Sequence, residues 1–269
     1  METKNTNKTS NDIVSNDNVS SAQQSRTIPF AVVESYKTIR TNLLFLLSNK
    51  SHNSITISSP YQSEGKSTTS VNTAIALSQL GSKVLLIDAD LRRPSIHRKM
   101  KFQNSMGLSS VLVGFCTIDE AIHNVNANLD VLTSGPTTPN PSELLGSDSM
   151  SELLDTLQKS YEYIIIDTPP INIVTDALVL APKTAGIMLV VKDNATRHDQ
   201  LKKALTSIEF AGVRLLGLVL NATGGNGSYK YRYKYRYRYR YRYQYNYNTY
   251  AYDNNYNKDR NNGKKKKRR

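Results

Sequence analysis

The chain has 269 residues, enough for one large α/β domain with a real core and too few for two ordinary domains plus tails. Hydrophobic residues make up 38%, low for a fully globular chain, so part of it is expected to stay out of the core. The net charge is +13, and residues 229–269 alone hold 15 Lys/Arg against two Asp, so the body is neutral and the basic pI describes only the tail.

The single cysteine, Cys116, excludes a disulfide framework and a cysteine-based zinc site, which suits a reducing compartment. His52, His97, His123 and His198 are scattered without metal-ligand spacing and read as ordinary surface residues. No apolar run approaches the ~18–20 residues of a membrane span. The N-terminal stretch carries no apolar segment of the kind a secretion signal needs, so the expected location is cytoplasmic, peripheral at the membrane through a partner.

Residues 1–27 are rich in Asn, Ser and Thr and are expected to be a disordered N-terminal segment. The folded domain is expected over 28–223. It opens with a helix in which Ile39, Leu43, Leu44, Phe45 and Leu47 recur at helical spacing. An α/β alternation follows. Ser54–Ser59 reads as a strand, Lys66–Leu80 as a helix closed by Gly81, and Lys83–Asp88 as a buried apolar strand ending in Asp. Residues 95–126 are expected to hold short helices, and Leu129–Thr133 a strand. Met150–Gln158 reads as a helix and Tyr163–Asp167 as a buried strand. Two further strands, Gly186–Val191 and Leu215–Leu220, flank a helix over Asp199–Ala211. This alternation predicts a doubly wound, mostly parallel sheet with helices on both faces and the site at the carboxyl ends of the strands.

The stretch ITISS-PYQSEGKSTTS places a strand, then Pro60 to Thr68, then a helix. Ser63, Glu64, Gly65, Lys66, Ser67 and Thr68 thus form a phosphate loop at a helix N-terminus, where free amides and the dipole face an anion. Lys66 reaches the outer phosphates and the Ser67 hydroxyl ligates magnesium. Proline stands where the usual pattern has its first glycine. A plain strand-to-helix turn would not require Lys66 and Ser67 together at the helix start.

Two acidic strand ends support ATP with Mg2+ at this loop. Asp88-Ala89-Asp90 follows one buried strand and Asp167-Thr168-Pro169-Pro170 another. A carboxylate just past a buried strand is costly unless paired or bound to a cation. Magnesium takes one or two carboxylates with phosphate oxygens and water. Asp167 is the first choice for the metal. Of Asp88 and Asp90, one can hold metal while the other accepts a proton, with Asp88 the favoured base. Asp90 has the competing reading of a helix cap.

PYQSEGKSTT, LLIDADLRRP and YIIIDTPP, with Thr175-Asp176-Ala177, Pro139–Leu145 and Gly217–Asn221, together resemble the bacterial tyrosine kinases of capsule and exopolysaccharide synthesis over residues 28–222. Any one of these motifs also resembles the partition and septum-positioning ATPases. Those relatives carry a signature lysine where this chain has Tyr61. The resemblance implies an ATP-dependent protein-tyrosine kinase, activated by a membrane-embedded partner of the export machinery and assembling into rings, with a tyrosine phosphatase as a counter-enzyme. It also places Arg197 and Asn221 near the nucleotide base. Glu34, Lys37 and Arg40 occupy the family's assembly motif, with lysine in place of the first arginine, which removes a bidentate fork. The competing reading of that helix is packing and internal charge pairing.

Residues 224–228 form a glycine-rich break, so 224–269 is expected to be a flexible tail. It carries 13 of the 17 tyrosines: Tyr229, Tyr231, Tyr233, Tyr235, Tyr237, Tyr239, Tyr241, Tyr243, Tyr245, Tyr247, Tyr250, Tyr252 and Tyr256. These are the expected phosphoacceptors, their phenols deprotonated by a positioned carboxylate. A disordered cationic tail binding nucleic acid or membrane is the plainer alternative. With the kinase-like body before it, nucleic acid is not the expected partner. Two other readings compete for the whole chain: a nucleotide-switch ATPase with a DNA- or membrane-binding tail, and a nucleotide-regulated adaptor. Tyr61 argues against the first, and the complete acidic set against the second.

Overall fold

The computed structural model describes residues 29–48 and 52–222. The expectations for 1–27 and 224–269, including all 13 tail tyrosines, lie outside the described residues. The strands are β1 (Ser54–Ser58), β2 (Val84–Asp88), β3 (Ile122–Asn126), β4 (Leu129–Leu132), β5 (Tyr163–Asp167), β6 (Ile187–Lys192) and β7 (Leu215–Asn221). They form one sheet in the order β3-β4-β2-β5-β1-β6-β7. Only β3 runs antiparallel, against β4. The expected doubly wound, mostly parallel sheet is therefore the observed fold.

Side-chain alternation along the central strands sorts the core into two layers. Val84 and Leu86 of β2, Ile165 of β5 and Met188 and Val190 of β6 face one side. There they meet α1 (Phe30–Leu47) through Leu43 and Leu47, and α2 (Lys66–Ser78) through Val71, Ala74 and Leu77. Leu85, Ile87, Ile164 and Ile166 face the other side, against Met150, Leu154 and Leu157 of α7 (Asp148–Ser160). On that same side Ile187 and Leu189 meet Ala204 and Ile208 of α9 (His198–Phe210). Each fully buried Leu or Ile contributes about 1.5–3 kcal/mol, so this double layer fixes the sheet and with it the strand ends.

Several local expectations change. Phe45 is 77% exposed rather than in the core, because the buried stripe of α1 runs through Leu43 and Leu47. His52, His97 and His123 are partly buried, and His123 stacks on Phe102 at 4.6 Å; only His198 is the exposed residue that was expected. The 95–126 region holds α3 (Ile96–Met100), α4 (Leu108–Leu112) and α5 (Ile118–Ala121), as expected, and then β3, which IHNVN does not announce. Two short helices, α6 (Pro141–Gly146) and α8 (Asp176–Leu180), are additional.

On α1, Glu34 and Lys37 pair with each other at 2.7 Å. Arg40 Nη1 donates to the Ala76 carbonyl at 2.9 Å, satisfying one of the last-turn carbonyls of α2. Arg40 thus joins α1 to the helix that carries the phosphate loop.

Candidate active site

The phosphate loop runs from β1 into α2. Ser63 (φ 63°) and Gly65 (φ 99°) both adopt left-handed backbone conformations. A Cβ on Gly65 would stand 2.0 Å from Asn221 Nδ2, so glycine is required by both φ and space. The loop is braced from the β6–β7 side. Asn221 Nδ2 donates to the Glu64 carbonyl at 2.9 Å, and Thr196 Oγ1 donates to Glu64 Oε1 at 2.6 Å. Glu64 Oε2 accepts from the Tyr61 amide at 3.2 Å, so this nearly buried carboxylate ties the loop to itself and to its neighbour.

Asp88 and Asp167 lie in register at the ends of the adjacent strands β2 and β5, and both are fully buried. Lys66 Nζ lies 2.7 Å from Asp90 Oδ2 and 3.6 Å from Asp167 Oδ2, and donates to Ser67 Oγ at 3.3 Å. Lys66 and Ser67, at the start of α2, thus stand beside Asp90 and Asp167, with Asp88 in register next to Asp167. Asp167 Oδ1 accepts from Ser70 Oγ at 2.9 Å, whereas its Oδ2 has no hydrogen-bond partner.

The helix-cap reading proposed for Asp90 applies instead to Asp88. Asp88 Oδ2 accepts the amides of Ser95 and Ile96 at 3.0 and 2.9 Å, and its Oδ1 accepts only the Asp90 amide, at 3.2 Å. Asp90 Oδ1 accepts the Arg93 amide at 3.0 Å.

Three carboxylates around one ammonium leave the cluster short of positive charge. Burial, together with the Asp167 charge, pushes Asp88 up to about 7. Burial also raises Asp167, opposed by Lys66 and by the Ser67 and Ser70 hydroxyls. For Lys66, burial works against the ammonium, but Asp167 and Asp90 outweigh it and hold its pKa above the ordinary lysine range. The donor set fits magnesium. Asp167 offers a buried, unpartnered carboxylate oxygen, Ser67 a hydroxyl, and Asp90 an oxygen engaged only by Lys66. Magnesium takes only one or two carboxylates and completes its shell with phosphate oxygens and water.

A cleft of about 540 Å³ opens over this cluster, lined by Ser63, Gly65, Lys66, Ser67, Thr68 and Asp90 among others. Glu64 lies beneath the loop rather than in the cleft, and Asn221 acts on it through Gly65 and Glu64. Arg197 is exposed just before α9, and its guanidinium Nε donates to Asp199 at 3.2 Å. Glu34, Lys37 and Arg40 are on α1 and do not line the cleft.

One arrangement was not foreseen. Arg92 grips the fully buried Asp176 through Nε at 2.9 Å and Nη2 at 3.1 Å. Arg92 Nη2 and Ser142 Oγ also bond to one another, and Ser142 Oγ donates to Asp176. This bidentate pair ties the segment after β2 to α6 and α8 on the far wall. Its three residues fall in three of the stretches quoted above, but nothing in their spacing says that they touch.

The family described as an AAA domain matches residues 53–209. The tyrosine-protein kinase YwqD of Bacillus subtilis is 43% identical over 189 residues, spanning 70% of this chain and 80% of that protein. The putative tyrosine-protein kinase CapB of Staphylococcus aureus is 38% identical over 191 residues, spanning 71% and 84%. The solved kinase domain of the Escherichia coli tyrosine kinase ETK has a TM-score of 0.70 at 32% identity, covering 78% of this chain and 86% of that one. With its phosphate loop, three strand-end aspartates and these relatives, the chain belongs to the family of bacterial tyrosine kinases built on a P-loop fold.

Proposed function

We propose that this chain is an ATP-dependent tyrosine kinase that phosphorylates its own C-terminal tyrosine cluster and thereby regulates capsule or exopolysaccharide synthesis and export. The observation that carries the reading is Lys66 at the start of α2, 2.7 Å from Asp90 and 3.6 Å from Asp167, with Asp88 buried in register beside Asp167, in a family of tyrosine kinases.

The roles follow from the contacts. The loop amides and Lys66 bind the ATP phosphates, and Lys66 stabilises the charge on the transferring group. Ser67, Asp167 and Asp90 would hold magnesium, directly or through its waters, and the ion when bound would supply positive charge against the ATP phosphates. Asp88 takes the phenol proton. Its pKa near 7 suits a general base, and Oδ1, with one long hydrogen bond, keeps lone-pair capacity. Asp88 is fully buried, so reaching a phenol requires the segment Asp90–Ser95 to shift. The phenolate oxygen then bonds to the γ-phosphorus as the bond to the β-phosphate oxygen breaks, giving phosphotyrosine and ADP. The family resemblance assigns Arg197, which follows Thr196, and Asn221, which packs on Gly65, to the nucleotide base.

No helix among the described residues is long and apolar enough to cross a membrane. Recruitment through a membrane-embedded activator, and ring assembly using Glu34, Lys37 and Arg40, belong to the same proposal. A tyrosine phosphatase would reset the tail.

Purified protein incubated with labelled ATP, magnesium and the activator's cytoplasmic segment tests this reading. Label on tyrosine in wild type, absent from Lys66→Met and from a chain lacking residues 229–256, is the expected result. Phosphate release without protein label would instead support a nucleotide-switch ATPase.

A further inference from the structure

The cleft has a second set of cations that the phosphate loop does not need. Arg93 and Lys99 line it from the segment between β2 and the end of α3, facing Lys66 and Thr68. Arg93 Nη1 donates to Gln62 Oε1 at 3.1 Å, and Lys99 Nζ donates to Thr68 Oγ1 at 3.0 Å. Both side chains reach across to the loop, and both meet neutral oxygens. Arg92 is neutralised by Asp176 and Lys66 by Asp90, whereas among the described residues neither Arg93 nor Lys99 has a carboxylate partner. Each is exposed and keeps unused donors for an anion.

The acceptor segment has a matching periodicity. From Tyr229 to Tyr247 every second residue is tyrosine. In an extended chain, residues two apart point the same way and stand about 6.6–6.8 Å apart. A phosphate on one tyrosine therefore lies one step along from the next phenol on the same side. The segment itself is cationic, so before modification it is disfavoured beside Arg93 and Lys99, the two lining cations without a carboxylate partner among the described residues. Each phosphate brings about −1.5 to −2 charges, offsets its two flanking cations and puts an anion at the tyrosine position.

We propose that Arg93 and Lys99 form a phosphotyrosine-binding subsite on the acceptor side of the cleft. It holds a tyrosine that is already phosphorylated while the tyrosine two residues away enters the transfer position. This rests on the reading that the tail cluster is the acceptor. Its consequence is priming: the first phosphate is slow, later ones are faster, and heavily modified tails build up before all tails carry one phosphate.

The test is fluorescence anisotropy with the full-length, dephosphorylated protein saturated with ADP. The probes are labelled peptides spanning residues 235–243, one unmodified and one phosphorylated at Tyr237. Wild type should bind the phosphopeptide about tenfold more tightly, as expected for two partly exposed charge-assisted contacts. In the Arg93→Gln/Lys99→Gln double variant the preference should fall below about twofold, while Arg93→Lys/Lys99→Arg retains most of it. Equal affinities in wild type, or an undiminished preference in the Gln variant, would overturn the subsite. So would a parallel loss of ADP affinity in the Gln variant, which would assign these cations to the nucleotide. Adding ATP and magnesium to the same peptides separates the two readings. Phosphopeptide preference without transfer sinks the kinase reading alone, and transfer without preference sinks the subsite alone.

Discussion

Replacing Asp90 with asparagine should tighten metal-free nucleotide binding while weakening the nucleotide-free fold. Lys66 and Asp90 are 13% and 5% exposed and meet at 2.7 Å, so any phosphate that takes Lys66 must first displace this carboxylate. One-sided removal of a buried pair costs about 3–5 kcal/mol. Here the loss should be smaller, about 1–3 kcal/mol, because Asp167 stays 3.6 Å from Lys66 and asparagine keeps an oxygen for the Arg93 amide. The released ammonium, and one fewer negative charge, should favour metal-free ADP by about 1.4 kcal/mol, or tenfold. Isothermal titration with ADP in excess EDTA reads this directly, and urea melts read the stability. With magnesium present the gain should shrink, since the metal loses a carboxylate. Unchanged or weaker metal-free ADP binding by Asp90→Asn would refute the view that Asp90 competes with phosphate for Lys66.

Asp88 makes stability depend on pH. Its pKa is raised from 3.8 to about 7, so the folded chain holds the proton more tightly than the unfolded one. Stability of the nucleotide-free protein is therefore fullest below about pH 4 for this group and falls as pH rises toward about 7. Asp88→Asn should flatten that slope in denaturant melts and lower transfer by about 10²–10⁴-fold; an unaltered slope counts against the assignment. Arg92→Ala strands the buried Asp176 carboxylate and should cost about 3 kcal/mol by thermal or urea unfolding, with Asp176→Asn restoring part of it. The tail carries +13, so about seven to nine phosphates would cancel it. Binding to anionic vesicles should then fall after incubation with ATP, and undiminished binding at high phosphate occupancy would contradict a charge switch.

The parts of the site carried by strand ends were legible because a buried apolar run ending in Asp is a strong local signal. That is how Asp88 and Asp167 could be assigned to one site, although no local signal says that β2 and β5 are neighbours. The exchange of the capping role from Asp90 to Asp88 was not legible. It depends on the turn after β2 bringing the amides of Ser95 and Ile96 back to a carboxylate seven and eight residues earlier. The Arg92–Asp176–Ser142 cluster and the Glu64–Thr196–Asn221 brace join segments from 34 to 157 residues apart, which local spacing cannot report. Phe45 misled because an apolar run longer than the buried stripe of a helix leaves some members outside. β3 was hidden because a mostly polar edge strand, half-buried only at Ile122 and His123, has no apolar alternation to show.

The central claim is transfer from this cleft to the tyrosine-rich tail. Mass spectrometry of the intact chain and of its 229–256 region, after incubation with ATP, magnesium and the activator segment, tests it most directly. Wild type should carry several phosphates on alternating tyrosines of that region, and Lys66→Met none. ATP turnover with an unmodified 229–256 region, or phosphate confined to other residues, would contradict it.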